Sequence, residues 1–242
     1  MITLGKLRSL EALTSLFYPP LCAICGADVG PSEYLCDACD TKASRITPPF
    51  CEKCSEPFSG AITDVFTCAN CENRKLHFET AVAAYRSRGV VRRVIHDFKY
   101  NKQLHLRHVV ARWLADAFDD VRLRGWRFDM LVAVPLHPAR QRERGFNQAD
   151  LLAKSLSQRT SVQLKPVLER IRYTKTQTAF DRAERMENLR DAFRLRKNAD
   201  VQGCRVLLID DVLTTGSTLS ECARVLKAAG AVSVHAATAA RA

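Results

Sequence analysis

Apolar residues fall into two regimes along this chain of 242 residues. From about residue 80 onward, short apolar blocks alternate with stretches whose apolar positions recur every three or four residues. The blocks at 80–85 (TAVAAY), 129–135 (DMLVAVP), 193–196, 205–210 and 232–239 have the length and composition of buried strands. Periodic stretches at about 88–98, 103–119, 146–158 and 217–229 predict helices, and Gly230 stands where the last of them needs a C-terminal cap. Strands alternating with helices predict an α/β fold on a mainly parallel sheet. Ligands of such sheets bind beyond the C-terminal strand ends. Residues 170–190 are polar and charged with few core-forming positions, which predicts a mobile loop. Before residue 80 the pattern changes. Leu4, Leu7, Leu10, Leu13, Leu16 and Phe17 mark one face of a short helix over 4–17, whereas residues 20–75 predict small ribbons of knuckles and short strands.

Those ribbons are read from their cysteines. Eight of the ten cysteines form four C-x2-C pairs: Cys22/Cys25, Cys36/Cys39, Cys51/Cys54 and Cys68/Cys71, separated by 10, 11 and 13 residues. Two such pairs supply the four thiolates of one tetrahedral zinc, so eight imply two structural zinc ions. Sequential pairing closes each ribbon locally; an interleaved cross-brace is the alternative. A redox role for C-x-x-C needs a thioredoxin-like βαβ setting, which residues 20–75 do not offer. Cys204 and Cys222 stand alone in strand and helix patterns and read as core residues. His77, His105 and His108 are not needed as ligands once eight thiolates are present.

The strongest chemical signal lies at residues 206–218, VLLIDDVLTTGST. A four-residue apolar strand ends at the acidic pair Asp210 and Asp211. The small, hydroxyl-rich loop Thr214-Thr215-Gly216-Ser217-Thr218 then leads into a helix. Backbone N–H groups in such a loop and the positive helix end hold a phosphate, and the carboxylates accept hydrogen bonds from ribose hydroxyls. No GxxxxGK[ST] occurs, which excludes a P-loop. A receiver domain starting at VLLIDD needs roughly a hundred further residues, and only 31 follow Asp211. All thirteen positions resemble the motif of type I phosphoribosyltransferases that binds 5-phosphoribosyl 1-diphosphate (PRPP).

Charge separates the two regions. Residues 1–80 carry a net −3 and residues 81–242 a net +14. A mildly acidic ribbon region is a poor binder of a nucleic-acid backbone, whereas a substrate with three phosphate groups accounts for the basic region. The N-terminal stretch is interrupted by Lys6, Arg8 and Glu11 and reads as neither a signal peptide nor a membrane span. A cytoplasmic location without membrane insertion is expected, and that reducing compartment disfavours disulfides.

Taken together, these segments resemble the ComF family of phosphoribosyltransferase-like proteins over nearly the whole length. The resemblance runs through FYPPLCAICG (17–26), the paired knuckles, FKYNKQLHL (98–106), VPLHPARQRERGFNQA (134–149) and TKTQTAFDRAERMENLRDAF (174–193). Phe180 stands where the family usually has Leu, and Asn101-Lys102 replaces a small Gly-containing turn. The resemblance implies a lead-in helix at 1–18, a double zinc ribbon at 19–76 and a phosphoribosyltransferase-like domain at 77–242. It implies PRPP with Mg²⁺ as ligand, and Thr174, Gln177, Arg185 and Asn188 as residues of the flexible loop. The turn Pro135–Gly145, whose basic part Arg140–Gly145 carries Arg140, Arg142 and Arg144, is similar to the pyrophosphate-contacting loop of type I enzymes; Lys99 and Tyr100 are further candidate phosphate contacts. A link to DNA uptake in natural competence is implied, together with protein partners from that machinery. The acceptor of a phosphoribosyl group stays open. Two non-catalytic readings stand beside the enzyme. In one, single-stranded DNA tracks the basic residues between Arg86 and Arg124 and stacks on Trp113 or Trp126; in the other, a PRPP-sensing regulator binds its partner through the ribbons.

Overall fold

A computed structural model of the chain describes residues 20–60, 65–173 and 189–242. The expected lead-in helix and the loop residues Thr174, Gln177, Arg185 and Asn188 lie outside them.

Two ribbons of like construction come first. In each, the first cysteine pair sits on a tight knuckle: Gly26 N–H donates to the Cys22 carbonyl at 2.9 Å, and Ser55 N–H to the Cys51 carbonyl at 2.8 Å. The second pair sits on a one-turn helix, α1 (Asp37–Asp40) or α2 (Ala69–Glu72). Cys36 and Cys68 are the N-caps of these helices, and Cys39 and Cys71 lie within them.

The remainder is a parallel α/β unit. Strand β1 (Ala81–Arg86) leads into α3 (Gly89–Tyr100), α4 (Arg107–Phe118) and a short α5 (Val121–Arg124). Then come β2 (Met130–Ala133), α6 (Pro138–Arg144), α7 (Gln148–Thr160), β3 (Leu168–Arg170), β4 (Phe193–Leu195), β5 (Arg205–Leu213), α8 (Ser217–Ala228) and β6 (Ser233–Arg241). The main sheet has the order β1-β6-β5-β2 and every pairing in it is parallel. β3 and β4 form a separate antiparallel pair. Helices α4 and α7 cover one side of the sheet, and α8 packs on β6 and β4. The central strand β6 is buried at all nine positions and contains Ala236, Ala237, Ala239 and Ala240. Small side chains there allow close packing on both faces of a buried parallel strand.

Several boundaries differ from the sequence reading. The expected helix at 103–119 is a 3-10 turn, Leu104–Leu106, running into α4. The basic turn Arg140–Gly145 is a helix, α6, because Pro138 occupies its first position and His137 caps it by accepting from Ala139 N–H at 3.2 Å. β5 continues to Leu213 rather than ending at Asp210, because β6 still pairs with it there. The acidic pair therefore lies inside the strand. β3, only three residues long, carries too few positions to show a period.

The open edge of β1 is covered by the chain that joins the two ribbons. Ile46 N–H donates to the Ala84 carbonyl and Arg86 N–H to the Ser44 carbonyl, both at 2.8 Å. Buried Ser55 accepts from Ala83 N–H at 3.1 Å and donates to the Ala81 carbonyl at 3.2 Å. An exposed edge would invite pairing with another chain; here the ribbons satisfy it and are fixed to the sheet.

Candidate functional site

Helix α8 begins at Gly216, whose φ of +77° is left-handed backbone that non-glycine residues rarely adopt. A Cβ there would lie 3.4 Å from the Phe78 ring. At its other end the helix closes in a Schellman motif: Ala231 N–H donates to the Leu226 carbonyl and Gly230 N–H to the Lys227 carbonyl. This locks the helix in place behind the loop Thr214–Thr218. Thr214 is exposed, Thr215 and Thr218 are half-buried, and Gly216 and Ser217 are buried. Thr215 and Ser217 share a hydroxyl hydrogen bond of 2.8 Å, and Ser217 N–H reaches Thr215 Oγ1 at 3.4 Å. Among the described residues the N–H groups of Thr215 and Gly216 meet no acceptor. Open donors at a helix N-terminus make an anion site.

Four elements converge on the acidic pair just before this loop. Lys99, near the end of α3, forms an ion pair with Asp211 Oδ2, the two side chains being 17% and 3% exposed. Gln148, at the start of α7, donates to Asp211 Oδ1 at 3.5 Å. Arg144 of α6 donates to Gln148 Oε1 and lies 5.1 Å from the Tyr100 ring centroid. Asn147 caps α7 through Ala149 N–H and donates to the Val134 carbonyl at 3.1 Å, tying α7 to the exit of β2. Burial, and then the charge of Asp211, pushes the Asp210 carboxyl well above the ordinary carboxylate range. Asp211 moves the other way: burial opposes its ionisation, but Lys99 holds it below that range. The two neighbouring carboxyls are thus pushed in opposite directions, and the Lys99 ammonium faces the one that is held low. Below it, burial and Asp210 push the Cys222 thiol up, as expected of a core cysteine.

A cleft of about 430 Å³ opens between the β2 exit, α6, α7 and β3. Gln141, Asn147, Asp150, Lys154, Glu169 and Arg170 give it a polar wall. Burial pushes the Asp150 carboxyl above its ordinary value.

The eight knuckle cysteines form two clusters: Cys22, Cys25, Cys36 and Cys39, and Cys51, Cys54, Cys68 and Cys71. Within each, the four sulfurs lie within 4.8 Å of one another. A tetrahedral zinc with Zn–S bonds of about 2.3 Å needs sulfurs about 3.8 Å apart. Cys25 and Cys36, and likewise Cys54 and Cys68, are 3.6 Å apart. In the second cluster, hydrogen bonds from Cys54 and Cys71 pull the Cys51 thiol down, and its bond to Cys51 pushes the Cys71 thiol up. Four sulfurs this close cannot all ionise unless a cation balances them.

Of the other candidates, Tyr100 is exposed and faces His96 and Arg144, whereas Arg140 lies 5.8 Å from the Tyr173 ring. Trp113 is fully buried against Tyr85, so it cannot stack on a nucleic-acid base; its helical spacing made it a core residue. Trp126 is exposed. His108 stacks on Tyr34 of the first ribbon, and His105 meets the same ring at a tilt. Sequence reading missed Gln148, Asn70 and Arg74, since nothing in local spacing links them to β5 or α8.

Comparison with known proteins identifies the two parts of the chain. The chain matches the double zinc ribbon domain over residues 13–74 and the phosphoribosyl transferase domain over residues 99–242. The DNA utilization protein YhgH of Escherichia coli (strain K12) is 31% identical over 224 residues, which cover 91% of this chain and 96% of that protein. This chain belongs to the ComF family. Competence protein F of Haemophilus influenzae is 31% identical over 202 residues, covering 81% of this chain and 85% of its own. Among solved structures, adenine phosphoribosyltransferase from Thermoanaerobacter pseudethanolicus is similar at 20% identity and a TM-score of 0.36, over 60% of this chain and 71% of that one. Within the ComF family, then, this chain joins a double zinc ribbon to a phosphoribosyltransferase-like α/β unit. Among the described residues no helix is long and apolar enough to cross a membrane.

Proposed function

We propose that this ComF-family protein binds PRPP with Mg²⁺ between Asp210 and Thr218 and transfers its phosphoribosyl group in a reaction of DNA utilization in the cytoplasm. The observation that carries the reading is the left-handed Gly216 at the head of α8, with N–H groups beside it that meet no acceptor among the described residues. The 5′-phosphate sits on Thr214–Thr218, and the ribose hydroxyls face Asp210 and Asp211. Lys99 keeps Asp211 ionised, so that one carboxylate is ready to accept from a hydroxyl. Arg140 and Arg144 on α6 stand on the diphosphate side. In the transfer the bond from C1 to the diphosphate oxygen breaks, the acceptor's lone pair forms the new bond to C1, and positive charge develops on the sugar between the two. Positioning and electrostatics supply most of the rate. Bound Mg²⁺ would offset the charge of the departing diphosphate. The polar cleft beside β2, within the usual size range of small-molecule sites, is the acceptor's place.

The two cysteine clusters fit one structural zinc each, and the ribbons they close brace the sheet edge. The basic α/β unit also offers single-stranded DNA a surface, and the ribbons a protein partner, in keeping with relatives named for competence and DNA utilization. Incubation with PRPP and Mg²⁺, with diphosphate release followed in the presence and absence of DNA and candidate bases or amines, tests the reading. Release stimulated by one of these identifies the acceptor class. PRPP bound without release under any of them would leave a PRPP-sensing protein in place of the transferase.

A further inference from the structure

The second ribbon reaches into the loop just described. Arg74, three residues after the last cysteine of its cluster, donates from Nη1 to the Thr215 carbonyl at 3.0 Å and from Nη2 to Ser217 Oγ at 2.9 Å. Asn70, between Cys68 and Cys71 on α2, accepts from Arg74 Nη1 at 2.7 Å, and its own Nδ2 reaches the Thr215 carbonyl at 3.4 Å. One step further along, His77 N–H donates to Ser220 Oγ on the first turn of α8 at 3.1 Å.

We propose that Arg74 is a positioning residue of the phosphate loop and that, through it, metal binding in the second ribbon and phosphate binding at α8 are coupled. The inference rests on the reading of Thr214–Thr218 as that loop. Two physical consequences of the contacts carry it. In a trans peptide the carbonyl and the following N–H point in opposite directions. Holding the Thr215 carbonyl toward the ribbon therefore turns Gly216 N–H away from it. Arginine only donates. Ser217 Oγ accepts from Arg74, which leaves the hydroxyl's one proton for Thr215 Oγ1 or for a phosphate oxygen.

The link to metal is short. Cys68 caps α2 and Cys71 lies within it, so ligation of these two fixes the single turn that presents Asn70 and Arg74. The first ribbon makes different contacts: Tyr34 stacks on His108, and Asp40 pairs with Arg112, both on α4. Among the described residues, then, the contacts couple the second metal and not the first to the loop. Because coupling free energies are reciprocal, PRPP must hold that metal more tightly.

The test uses the full-length, metal-loaded protein. Calorimetric titration with PRPP and Mg²⁺ compares the wild type with Arg74→Ala and Arg74→Lys, and metal release to a coloured chelator is timed with and without PRPP. Loss of one charge-assisted hydrogen bond predicts about tenfold weaker binding in Arg74→Ala with its metal content unchanged. Arg74→Lys stays weakened, because an ammonium lacks the fork that spans both acceptors. PRPP slows release of one of the two metals, and Arg74→Ala abolishes that slowing. Unchanged affinity in Arg74→Ala, full recovery in Arg74→Lys, or equal effects of PRPP on both metals would overturn the proposal while leaving PRPP binding intact. No binding by the wild type would remove the phosphate-loop reading with it. If Arg74→Ala loses metal, Asn70→Ala carries the test: weaker binding with both metals retained supports the coupling, and unchanged binding overturns it.

Discussion

Replacing Lys99 by Met removes the ammonium that pairs with Asp211. Asp211 is 3% exposed, and Gln148 at 3.5 Å is a neutral donor that cannot replace a charge. Removing one partner of a buried ion pair typically costs 3–5 kcal/mol. Lys99 keeps 17% of its side chain exposed, so some solvent reaches the pair. The low end of the range applies, about 3 kcal/mol at pH 7.5. In a chain of this size that corresponds to a melting temperature lower by about 6–12 °C. The pH dependence has a definite sign. In the wild type Asp211 sits below its ordinary pKa, so its contribution is complete above about pH 4 and is lost as the pH falls through its folded value. Without Lys99, burial raises Asp211 instead, and folding is opposed more strongly as the pH rises. The gap between the two proteins therefore narrows from pH 7.5 to pH 4.5. Urea unfolding followed by the fluorescence of Trp113, which is fully buried, reads this directly. The double variant Lys99→Met/Asp211→Asn should recover most of the loss, because the buried carboxylate that Lys99 balanced is then gone. A single variant within 0.5 kcal/mol of wild type at pH 7.5, or a gap independent of pH, would refute the charge-balance argument.

Gly216→Ala should cost about 1–2 kcal/mol from the left-handed backbone alone, with the Phe78 ring still able to accept a methyl group. Gly216→Val should cost more and abolish PRPP binding; a valine variant that melts and binds like wild type would place the ligand elsewhere. Elemental analysis of metal-replete protein should return two zinc ions per chain, and one or none would contradict the ribbon assignment. His235 is buried between Trp126 and Phe128 with neither ring nitrogen bonded among the described residues, and burial lowers its pKa despite the nearby Glu79. The unfolded chain therefore takes up a proton that the folded one refuses, and stability falls as the pH drops below about 6.5. His235→Phe should flatten that part of the stability profile, and identical profiles would exclude His235 as its source.

The alternating elements of the α/β unit were legible because each carried its own period: the apolar block at 205–210 and the helical spacing from Leu219 to Leu226 each define an element alone. The place of the loop 214–218 between a strand and a helix was legible for a similar reason, since its glycine stands where the chain takes a left-handed turn into the helix. Element boundaries were less so. Whether β5 stops at Asp210 or at Leu213 depends on β6 pairing with it, and α6 looked like a turn because its seven residues contain no buried position. The partners of the site were hidden for a different reason. Gln148 lies 63 residues from Asp211, and Arg74 lies 141 from Thr215. Only the fold brings such pairs together, and nothing in their local sequence separates them from ordinary surface polar residues. Trp113 shows the converse error, since an aromatic among basic residues suggested stacking while its helical register buried it.

The central claim, that the loop from Asp210 to Thr218 holds PRPP, is tested most directly by calorimetric titration of the wild type and the Asp210→Asn/Asp211→Asn variant with PRPP, with and without Mg²⁺. The account predicts one PRPP per chain, Mg²⁺-dependent affinity, and weakening of at least tenfold in the variant while its melting curve stays cooperative. Equal affinity in both proteins, or no heat of binding in the wild type, would contradict it.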